Sequence, residues 1–203
     1  IGADVPCGEC EMCKRGIGNN CPINYAIGYQ FQGGFAEFIL LNETTMKYGP
    51  VHKIPDNVSD IAATLAEPLA CCLNAYELAR LLPGETVVIF GLGPVGCLLV
   101  EVAKTLGAGK VIAIQRSRKR LEMAMDVGIP ADVFICALEE DPVERVLHET
   151  DGRGADVVMT ACASVEAQEQ AIRMLAHRGR LNLFAGLPPG SRKIELDSNF
   201  IHY

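Results

Sequence analysis

The sequence has no tryptophan, few aromatic residues and a shortage of positive charge. Aromatic residues fill 6% of the 203 positions, and 18 lysines and arginines are outnumbered by 25 aspartates and glutamates, for a net charge of −7. A chain of this charge has no electrostatic footprint for nucleic acid or an anionic membrane surface. It also lacks a run of about 20 apolar residues, the length that a membrane-spanning helix needs. We therefore expect neither nucleic acid nor a membrane among its partners.

The two ends of the chain lack the signals of a complete protein. The sequence begins Ile1–Pro6 without a methionine or a basic, apolar signal segment. It stops at Phe200–Tyr203 without a helix-ending or strand-ending signal. We therefore expect a chain that is truncated at both ends. Its 49% of hydrophobic residues is still ample for a packed core.

Cysteine, by contrast, is abundant. Four of the nine cysteines lie within fifteen residues, at Cys7, Cys10, Cys13 and Cys21. Each Cys-x-x-Cys step turns the backbone so that neighbouring sulfurs aim at one point, and zinc accepts four thiolates in a tetrahedron. Because four protein ligands leave no open coordination position, the spacing predicts a structural zinc site.

Two other interpretations of these cysteines stay open. Disulfides need an oxidising compartment, but the number of cysteines is odd and the others are scattered through apolar segments, which is typical of a cytoplasmic protein. An iron–sulfur cluster is the sharper alternative, yet seven residues separate Cys13 from Cys21 where the bacterial ferredoxin pattern has about three. The other five cysteines are Cys71, Cys72, Cys97, Cys136 and Cys162.

The first third of the chain differs in composition from the rest. It is rich in glycine and cysteine, and its longest β-type run is Ala36–Leu41, which follows two glycines. Ser59 is a typical capping residue for a helix over residues 61–66, and Pro68 fits the first turn of a second helix that ends near residue 81. We predict a loop-rich, metal-bound lobe that ends near this point.

Beyond Thr86, apolar strands and amphipathic helices alternate. Runs that are apolar on both faces suit a parallel sheet covered by helices on both sides, and the right-handed crossover rule then favours a doubly wound α/β fold. The predicted strands are Val87–Phe90, Val111–Ile114, Val133–Ile135, Val157–Thr160 and Leu181–Phe184. The predicted helices cover residues 94–106, 117–127, 142–150 and 165–175.

A glycine-rich turn follows the first of these strands and opens a helix. In a dinucleotide site Gly91 permits the tight turn, Gly93 lets the backbone approach a pyrophosphate, and Gly96 allows close packing of helix and strand. The N-terminus of the helix supplies N–H groups and partial positive charge. We predict a cofactor site at Gly91, Leu92, Gly93, Pro94, Val95 and Gly96. Residues 67–203 are then a dinucleotide-binding domain, preceded by the zinc lobe in residues 1–66.

The end of the second strand has no acidic residue. NAD-binding proteins of this fold place Asp or Glu there to bind the 2′-hydroxyl of the adenosine ribose, whereas this chain has Gln115, followed by Arg116, Ser117 and further basic residues. Basic residues in the first turn of a helix oppose its dipole and favour an anion. We predict that these residues contact NADP or NAD, with a preference for NADP, although Gln115 can also bond a ribose hydroxyl.

The order of the motifs resembles that of the zinc-dependent medium-chain alcohol dehydrogenases, over the whole length of the chain. The Glu-Pro-Leu segment at Glu67 is more similar to the sorbitol, threonine and sugar-alcohol dehydrogenase branch than to the liver-type enzymes. The motifs that carry the resemblance are the four-cysteine lobe, Gly33–Glu37, Lys53–Asn57, Glu67–Ala70 and Gly91–Gly96.

This resemblance implies a two-domain enzyme, with a GroES-like catalytic domain and a Rossmann domain. Zinc polarises the oxygen of a secondary alcohol or polyol, and a hydride passes to NAD(P). By position the four cysteines hold the structural zinc, and Glu67 is a carboxylate at or beside the catalytic zinc. Arg120 lies near the adenosine ribose, and Gly186 and Leu187 approach the nicotinamide. The parent protein is expected to be a cytoplasmic homodimer or homotetramer.

The sequence also departs from the pattern of this family. The family's catalytic cysteine and its Gly-His-Glu ligand segment lie upstream of the zinc lobe, and the last strand of its sheet follows the position of Tyr203. We therefore expect a fragment that binds cofactor but lacks the catalytic zinc. Two alternatives to the dehydrogenase remain: a non-catalytic dinucleotide-binding module that acts as a redox sensor or scaffold, and an iron–sulfur electron-transfer protein.

Overall fold

The computed structural model describes residues 1–202, and the chain divides into two units, Ile1–Glu67 and Pro68–Tyr203. No helix in residues 1–202 is long and apolar enough to cross a membrane. Tyr203 and the sheet strand expected beyond it lie outside the described residues.

The first unit consists of short elements joined by loops. Two strands, β1 (Asp4–Val5) and β2 (Tyr25–Ala26), pair antiparallel, and a 3₁₀ helix covers Gly18–Asn20. Within residues 1–67 only Val5, Cys21 and Thr45 are buried, so the hydrophobic core of this unit is very small. The helices of this unit are α1 (Glu11–Lys14), α2 (Glu43–Tyr48) and α3 (Asp60–Ala63).

The predicted β-type run at Ala36–Leu41 does not form a strand. Phe38 is 85% exposed and Leu40 is 79% exposed. A β-type sequence becomes a strand only where a neighbouring strand accepts and donates its backbone hydrogen bonds, and no described segment pairs with this one. The run leads instead into α2, a helix that was not predicted from the sequence, and Asn42 caps it by accepting the N–H of Thr45 at 2.8 Å.

The second unit contains a five-stranded parallel sheet, which confirms the doubly wound fold. Its strands are β3 (Thr86–Phe90), β4 (Lys110–Gln115), β5 (Val133–Cys136), β6 (Ala155–Thr160) and β7 (Leu175–Asn182). Their order in the sheet is β5-β4-β3-β6-β7, so β3, the first strand of this unit, is central, as this topology requires. The helices are α4 (Ala66–Ala79), α5 (Pro94–Thr105), α6 (Arg118–Asp126), α7 (Pro142–Glu149), α8 (Val165–Arg173) and α9 (Ser198–His202).

The two faces of the sheet have separate hydrophobic cores. Val87 and Ile89 of β3 pack with residues from α4, α5 and α6 on one face, and Val88 and Phe90 pack with residues from α7 and α8 on the other. All five residues of β3 are buried. The run that is apolar on both faces is therefore a central strand, as the sequence predicts.

The last strand of the sheet begins earlier than the sequence predicts, at Leu175 instead of Leu181. Its pairing with β6 is irregular, since Ala155 faces Leu175 but Val157 faces Arg180. The extra residues between them include Arg178, at φ +63°. A polar bulge of this kind breaks the apolar alternation from which strands are recognised.

Candidate functional site

The first candidate site is the group of four cysteine sulfurs in the first unit. Cys10 caps α1 and Cys13 lies within that helix, while Cys7 precedes the helix and Cys21 follows the 3₁₀ helix. The Sγ atoms of Cys10 and Cys13 are 3.4 Å apart, and the Cys7–Cys13 and Cys10–Cys21 pairs are each separated by 3.9 Å. All four sulfurs lie within 4.8 Å of one another, so the fold brings the predicted ligands together.

Backbone N–H groups donate to the sulfurs of Cys7, Cys10 and Cys21, and those at Cys7 and Cys21 favour the ionised form of the thiol. The N–H groups of Glu9 and Cys10 donate to the Cys7 sulfur at 3.5 and 3.4 Å, and those of Asn24 and Cys7 donate to the Cys21 sulfur at 3.4 Å. The Glu9 and Cys10 bonds lower the pKa of the Cys7 thiol. The Asn24 and Cys7 bonds lower the pKa of the Cys21 thiol to about 6.

The four thiols together match one tetrahedral ion. Desolvation, reinforced by the Cys10 sulfur, raises the pKa of Cys13 to about 12, so full ionisation of the group needs a cation at its centre. Four sulfurs around zinc at about 2.3 Å are about 3.8 Å apart, close to the 3.4–3.9 Å of the three pairs above, and the other pairs are within 4.8 Å. These sulfurs are at least 3.4 Å apart in the three pairs above, far beyond the about 2.05 Å of a disulfide bond, so none of those pairs is a disulfide.

The second candidate site lies at the carboxyl end of β3, where Gly91–Gly96 turns into α5. Gly91 has φ +93°, and a Cβ there would lie 2.9 Å from the carbonyl oxygen of Ala161. A Cβ on Gly96 would lie 1.8 Å from the carbonyl oxygen of Gly91, so the helix packs directly against the turn. No atom lies within 4 Å of the Cβ position of Gly93, which leaves that part of the turn open to a ligand.

The N-terminus of α5 suits an anionic pyrophosphate. Gly93 is its N-cap and has no side chain to bond the N–H groups of the first turn, and Pro94 follows at the first helical position. Those N–H groups and the helix dipole attract negative charge. Desolvation raises the pKa of the Cys97 and Cys162 thiols near the turn, which therefore stay neutral at physiological pH. The residues present thus fit a dinucleotide.

Gln115 joins the end of β4 to the glycine turn. Its Oε1 atom accepts the N–H of Leu92 at 2.8 Å, and the residue is only 8% exposed. The sequence predicts Gln115 as a ribose contact and gives no sign of this bond to the turn. A contact between residues that lie 23 positions apart in the chain leaves no local sequence signal.

The basic residues that follow Gln115 differ in whether they form an ion pair. The guanidinium of Arg118 donates to the carboxylate of Glu139, with Nε and Oε1 2.8 Å apart. Arg116 and Arg120 are exposed, and neither has an ion-pair partner within residues 1–202. Ser117 is the N-cap of α6, and its side chain makes no capping hydrogen bond.

Gly186 and Leu187 follow β7 at the same edge of the sheet. Backbone pairing continues past the strand ends, because the N–H of Ala161 donates to Phe90 and the N–H of Ala185 donates to Thr160, both at 2.8 Å. The loop after β7 therefore leaves the sheet beside the loop after β6, in the row that also contains the glycine turn.

Thr160, which closes β6 at this edge, is a polar residue that the sequence analysis treated as part of an apolar strand. It is fully buried, and its Oγ1 atom has no hydrogen-bond partner among the described residues. In the sequence, Thr160 is a polar residue directly after the apolar run Val157–Met159. Ordinary strand ends have the same pattern, so the sequence does not single out Thr160 as a site residue.

Glu67 lies in the first turn of α4 and is exposed. Within residues 1–202 one group of three or more His, Cys, Asp or Glu side chains can share a metal ion, and it consists of the four cysteines. Glu67 is not part of that group. Its assignment to a catalytic zinc stays a prediction.

These features define a class of protein, a doubly wound dinucleotide-binding fold whose chain also carries a four-thiolate metal lobe. The family described as zinc-binding dehydrogenase matches residues 94–203, which is more than half of the chain. The chain therefore belongs to the zinc-binding dehydrogenases of the medium-chain alcohol dehydrogenase superfamily, as the resemblance of its motifs predicted.

Two relatives and one solved structure illustrate the similarity. The chain is 34% identical to D-arabitol-phosphate dehydrogenase of Enterococcus avium, over 96% of this chain and 53% of the relative. It is also 34% identical to sorbitol dehydrogenase of Bacillus subtilis, over 97% of this chain and 54% of the relative. A protein of Sinorhizobium meliloti 1021, described as a zinc-binding dehydrogenase bound to NADP, superposes with a TM-score of 0.87 at 31% identity, over 98% of this chain and 57% of that one.

The chain thus spans about half the length of the curated relatives that it matches. The family and these similarities favour an oxidoreductase over the sensor or scaffold module and over the iron–sulfur protein.

Proposed function

We propose that this chain supplies the structural zinc site and the cofactor site of a zinc-dependent oxidoreductase. The enzyme would transfer a hydride between NAD(P) and a secondary alcohol or polyol. The observation that carries the proposal is the glycine turn Gly91–Gly96, which is open at Gly93 and bonded to Gln115. The relatives named as arabitol-phosphate and sorbitol dehydrogenases, and the similar structure bound to NADP, support it.

The proposal assigns a role to each predicted residue. Residues 1–66 are the zinc lobe and remainder of a GroES-like catalytic domain, and residues 67–203 are the Rossmann domain. The structural zinc is held by Cys7, Cys10, Cys13 and Cys21. The cofactor is held by Gly91, Leu92, Gly93, Pro94, Val95, Gly96, Gln115, Arg116, Ser117, Arg120, Gly186 and Leu187.

In the proposed reaction, these residues bind the cofactor and orient it for hydride transfer. When bound, the nicotinamide exchanges a hydride with the carbon that carries the alcohol oxygen. The open N–H groups of α5 bind and orient the pyrophosphate, and the backbone after β7 positions the nicotinamide end. Glu67 is assigned to the neighbourhood of the catalytic zinc of the whole protein, where the metal acts as a Lewis acid on the alcohol oxygen.

We also propose a cellular location, an oligomeric state and the absence of two kinds of partner for the whole protein. We place it in the cytoplasm, since the number of its cysteines is odd and those outside the zinc lobe are scattered through apolar segments without a disulfide framework. By resemblance it is a homodimer or homotetramer that binds neither nucleic acid nor a membrane. Light scattering on the whole protein checks the oligomeric state, and a monomer would contradict that part of the proposal.

Cofactor titration of a matched pair of glycine variants tests the site. Gly93 and Gly34 each have open space around their Cβ positions and lack a positive φ, but only Gly93 belongs to the turn. Gly93→Val should weaken NADPH and NADH binding at least about tenfold because the side chain fills the approach of the pyrophosphate. Gly34→Val should bind as the wild type does. Equal affinity of the two variants, or no cofactor binding by the folded wild-type chain, would contradict the assignment.

The activity itself is tested on the whole protein. We expect NAD(P)-dependent oxidation of polyols such as sorbitol, lost when zinc is removed with a chelator and restored by added zinc. Oxidation that continues at full rate after complete removal of zinc would contradict the proposal.

A further inference from the structure

We infer that two neighbouring residues of α8, Gln168 and Glu169, are positioning residues for the nicotinamide end of the cofactor. They bond the two ends of the loop formed by residues 185–195, which follows β7 and contains Gly186 and Leu187. This inference rests on the proposed function, because it concerns the backbone to which the nicotinamide contact is assigned there.

The first end of this loop is held at Ala185, through both polar groups of its backbone. The N–H of Ala185 donates to the carbonyl oxygen of Thr160 at 2.8 Å, which continues the pairing of β7 with β6. The carbonyl oxygen of Ala185 accepts a hydrogen bond from the side chain of Gln168, whose Nε2 atom is 3.2 Å away. The residue directly before Gly186 is thus bonded both to a strand and to a helix.

Gln168 is a polar side chain on the buried face of α8. It is only 3% exposed, and its neighbours Ala167 and Ala171 on the helix belong to the hydrophobic core on this side of the sheet. A buried amide is unfavourable unless it is hydrogen-bonded. If the loop moved away from α8, the Gln168 amide would lose its bond to Ala185. The burial of Gln168 therefore favours one position of Ala185.

The second end of the loop is held by Glu169, the next residue of the helix. Its Oε2 atom accepts from Nη2 of Arg192 at 2.8 Å, and its Oε1 atom accepts the backbone N–H of Glu195 at 2.8 Å. The hydrogen bonds from Arg192 and Glu195 lower the pKa of Glu169 to about 2, so the carboxylate is ionised at physiological pH. A carboxylate that binds a guanidinium through both oxygens fixes its direction as well as its distance.

The middle of the loop is exposed between these two anchors. Residues 188–190 are exposed, and so is Gly186. In the described part of the chain no atom lies within 4 Å of the Cβ position of Gly186, its chain neighbours aside. The hydrogen bonds at the two ends, and not packing at Gly186, therefore set the position of the backbone at Gly186 and Leu187.

The position of this backbone matters because hydride transfer needs a fixed nicotinamide. A displacement of about 1 Å can cost about 10²-fold in rate. Release of either anchor should weaken the contacts of the nicotinamide and leave those of the pyrophosphate at the glycine turn intact. ADP-ribose separates the two contributions, since it contains the adenosine and the pyrophosphate of the cofactor but no nicotinamide.

Calorimetric titration of the 203-residue chain with NADH and with ADP-ribose tests the inference. Gln168→Met keeps the length of the side chain and removes the donor, so it should bind NADH about fivefold more weakly and ADP-ribose as the wild type does. Glu169→Gln should weaken NADH binding less, about threefold, because its partner Arg192 is more than half exposed. Gln170→Met is the matched control, the same change at a partly buried position of the same helix, and it should bind both ligands as the wild type does.

Amide hydrogen exchange of the same variants measures the anchoring itself. Peptides from the loop should exchange faster in Gln168→Met than in the wild type, because a backbone released from its partners opens more often. Peptides from β3 and α5 should exchange as in the wild type, which shows at the same time that the variant is folded.

A folded Gln168→Met variant with the NADH affinity of the wild type overturns the inference, and so does one that loses affinity for NADH and ADP-ribose by the same factor. If Gln168→Met does not fold, Glu169→Gln decides, and unchanged NADH affinity of that variant overturns the inference. A folded wild-type chain that binds neither ligand contradicts the proposed function and, with it, this inference.

Discussion

At the scale of single residues, Gly96 is the position in the glycine turn with the least room for a side chain. Its Cβ position lies 1.8 Å from the carbonyl oxygen of Gly91, which is backbone and cannot rotate away. Gly93, three residues earlier, has open space instead. The two glycines thus serve different purposes, one for packing and one for the ligand, as the spacing of the motif predicts.

Gly96→Ala should therefore destabilise the dinucleotide unit itself. Overpacking of this kind costs about 1–3 kcal/mol, which lowers the melting temperature by about 2–4 °C for each kcal/mol in a chain of this size. Thermal unfolding followed by circular dichroism measures the change, with Gly34→Ala as the control in open space. A Gly96→Ala variant that melts with the wild type would show that the turn relaxes more easily than its geometry implies.

The second residue-scale prediction concerns the metal. The Cys10 sulfur lies 3.4 Å from that of Cys13 and 3.9 Å from that of Cys21. We expect elemental analysis to find one zinc per wild-type chain and little zinc in Cys10→Ser, because three thiolates bind it much more weakly. The control Cys71→Ser changes an exposed cysteine outside the cluster and should keep its zinc. Full zinc content in Cys10→Ser, or iron in the wild type, would contradict the assignment.

At the scale of elements, Arg180 holds β7 against the end of α4 and the start of β3. Its Nε atom donates to the carbonyl oxygen of Ala79 at 2.9 Å, and its Nη2 atom donates to that of Arg80 at 3.0 Å. Its Nη1 atom donates to Oε1 of Glu85 at 2.9 Å. One guanidinium thus satisfies carbonyls at a helix end and pairs with a carboxylate.

Arg180→Met should cost about 2 kcal/mol at pH 7, since it removes hydrogen bonds to a charged, largely buried carboxylate. Arg180 lowers the pKa of Glu85 below its ordinary value. A lowered folded-state pKa stabilises the fold above the unfolded-state pKa of about 4.3, and this contribution is lost as the pH falls through the folded value. Urea unfolding at pH 7 and pH 3 should thus show a smaller difference between variant and wild type at pH 3.

The control for this experiment is Lys53→Met. The Lys53–Asp56 pair is 3.8 Å apart with both side chains largely in solvent, so the variant should stay within about 0.5 kcal/mol of the wild type at both pH values. An Arg180→Met difference that grows at pH 3 would show that its stabilising effect does not come from the ionised form of Glu85.

The elements also show how far the sequence predicts the structure. Every strand of the second unit was predicted to within about two residues except β7, because central strands are continuous apolar runs bounded by glycine or charge. The bulged β7 was predicted six residues too late, and Ala36–Leu41 forms no strand. The polar bulge hides the start of β7, whereas Ala36–Leu41 has no strand to pair with among the described residues, and neither condition can be read from the local sequence.

In the candidate sites too, local features could be predicted from the sequence and contacts between separate elements could not. The cysteine spacing and the glycine turn are local, and the four sulfurs and the strand-to-helix turn lie where the sequence predicts. The hydrogen bond that the Leu92 N–H donates to Gln115 and the pairing of Arg118 with Glu139 join separate βα units. They arise from the parallel packing of β4 beside β3 and β5, and no local pattern reveals them.

At the scale of the whole molecule, the two units differ in how they are stabilised. The second unit has a hydrophobic core on each face of its sheet, whereas the first has three buried residues in 67. A segment with so small a core needs a metal or another cross-link to order it. We therefore expect a metal ion bound by the four cysteines to order this lobe.

The 203-residue chain by itself should bind cofactor without oxidising an alcohol. The cluster of possible metal ligands within residues 1–202 consists of four cysteines, and a zinc ion held by four thiolates has no open position for a substrate. Assays with sorbitol and both cofactors check this. Zinc-dependent turnover by the pure chain, abolished by Glu67→Ala, would show that a catalytic metal site exists which includes Glu67.

The most direct test of the account is a crystal structure of this chain with NADPH, measured on both sides of the zinc absorption edge. We expect one anomalous peak at the centre of the four sulfurs of Cys7, Cys10, Cys13 and Cys21. We also expect the pyrophosphate over Gly93 at the N-terminus of α5. An iron edge, a metal peak away from the four sulfurs, or a cofactor bound away from the glycine turn would contradict the account.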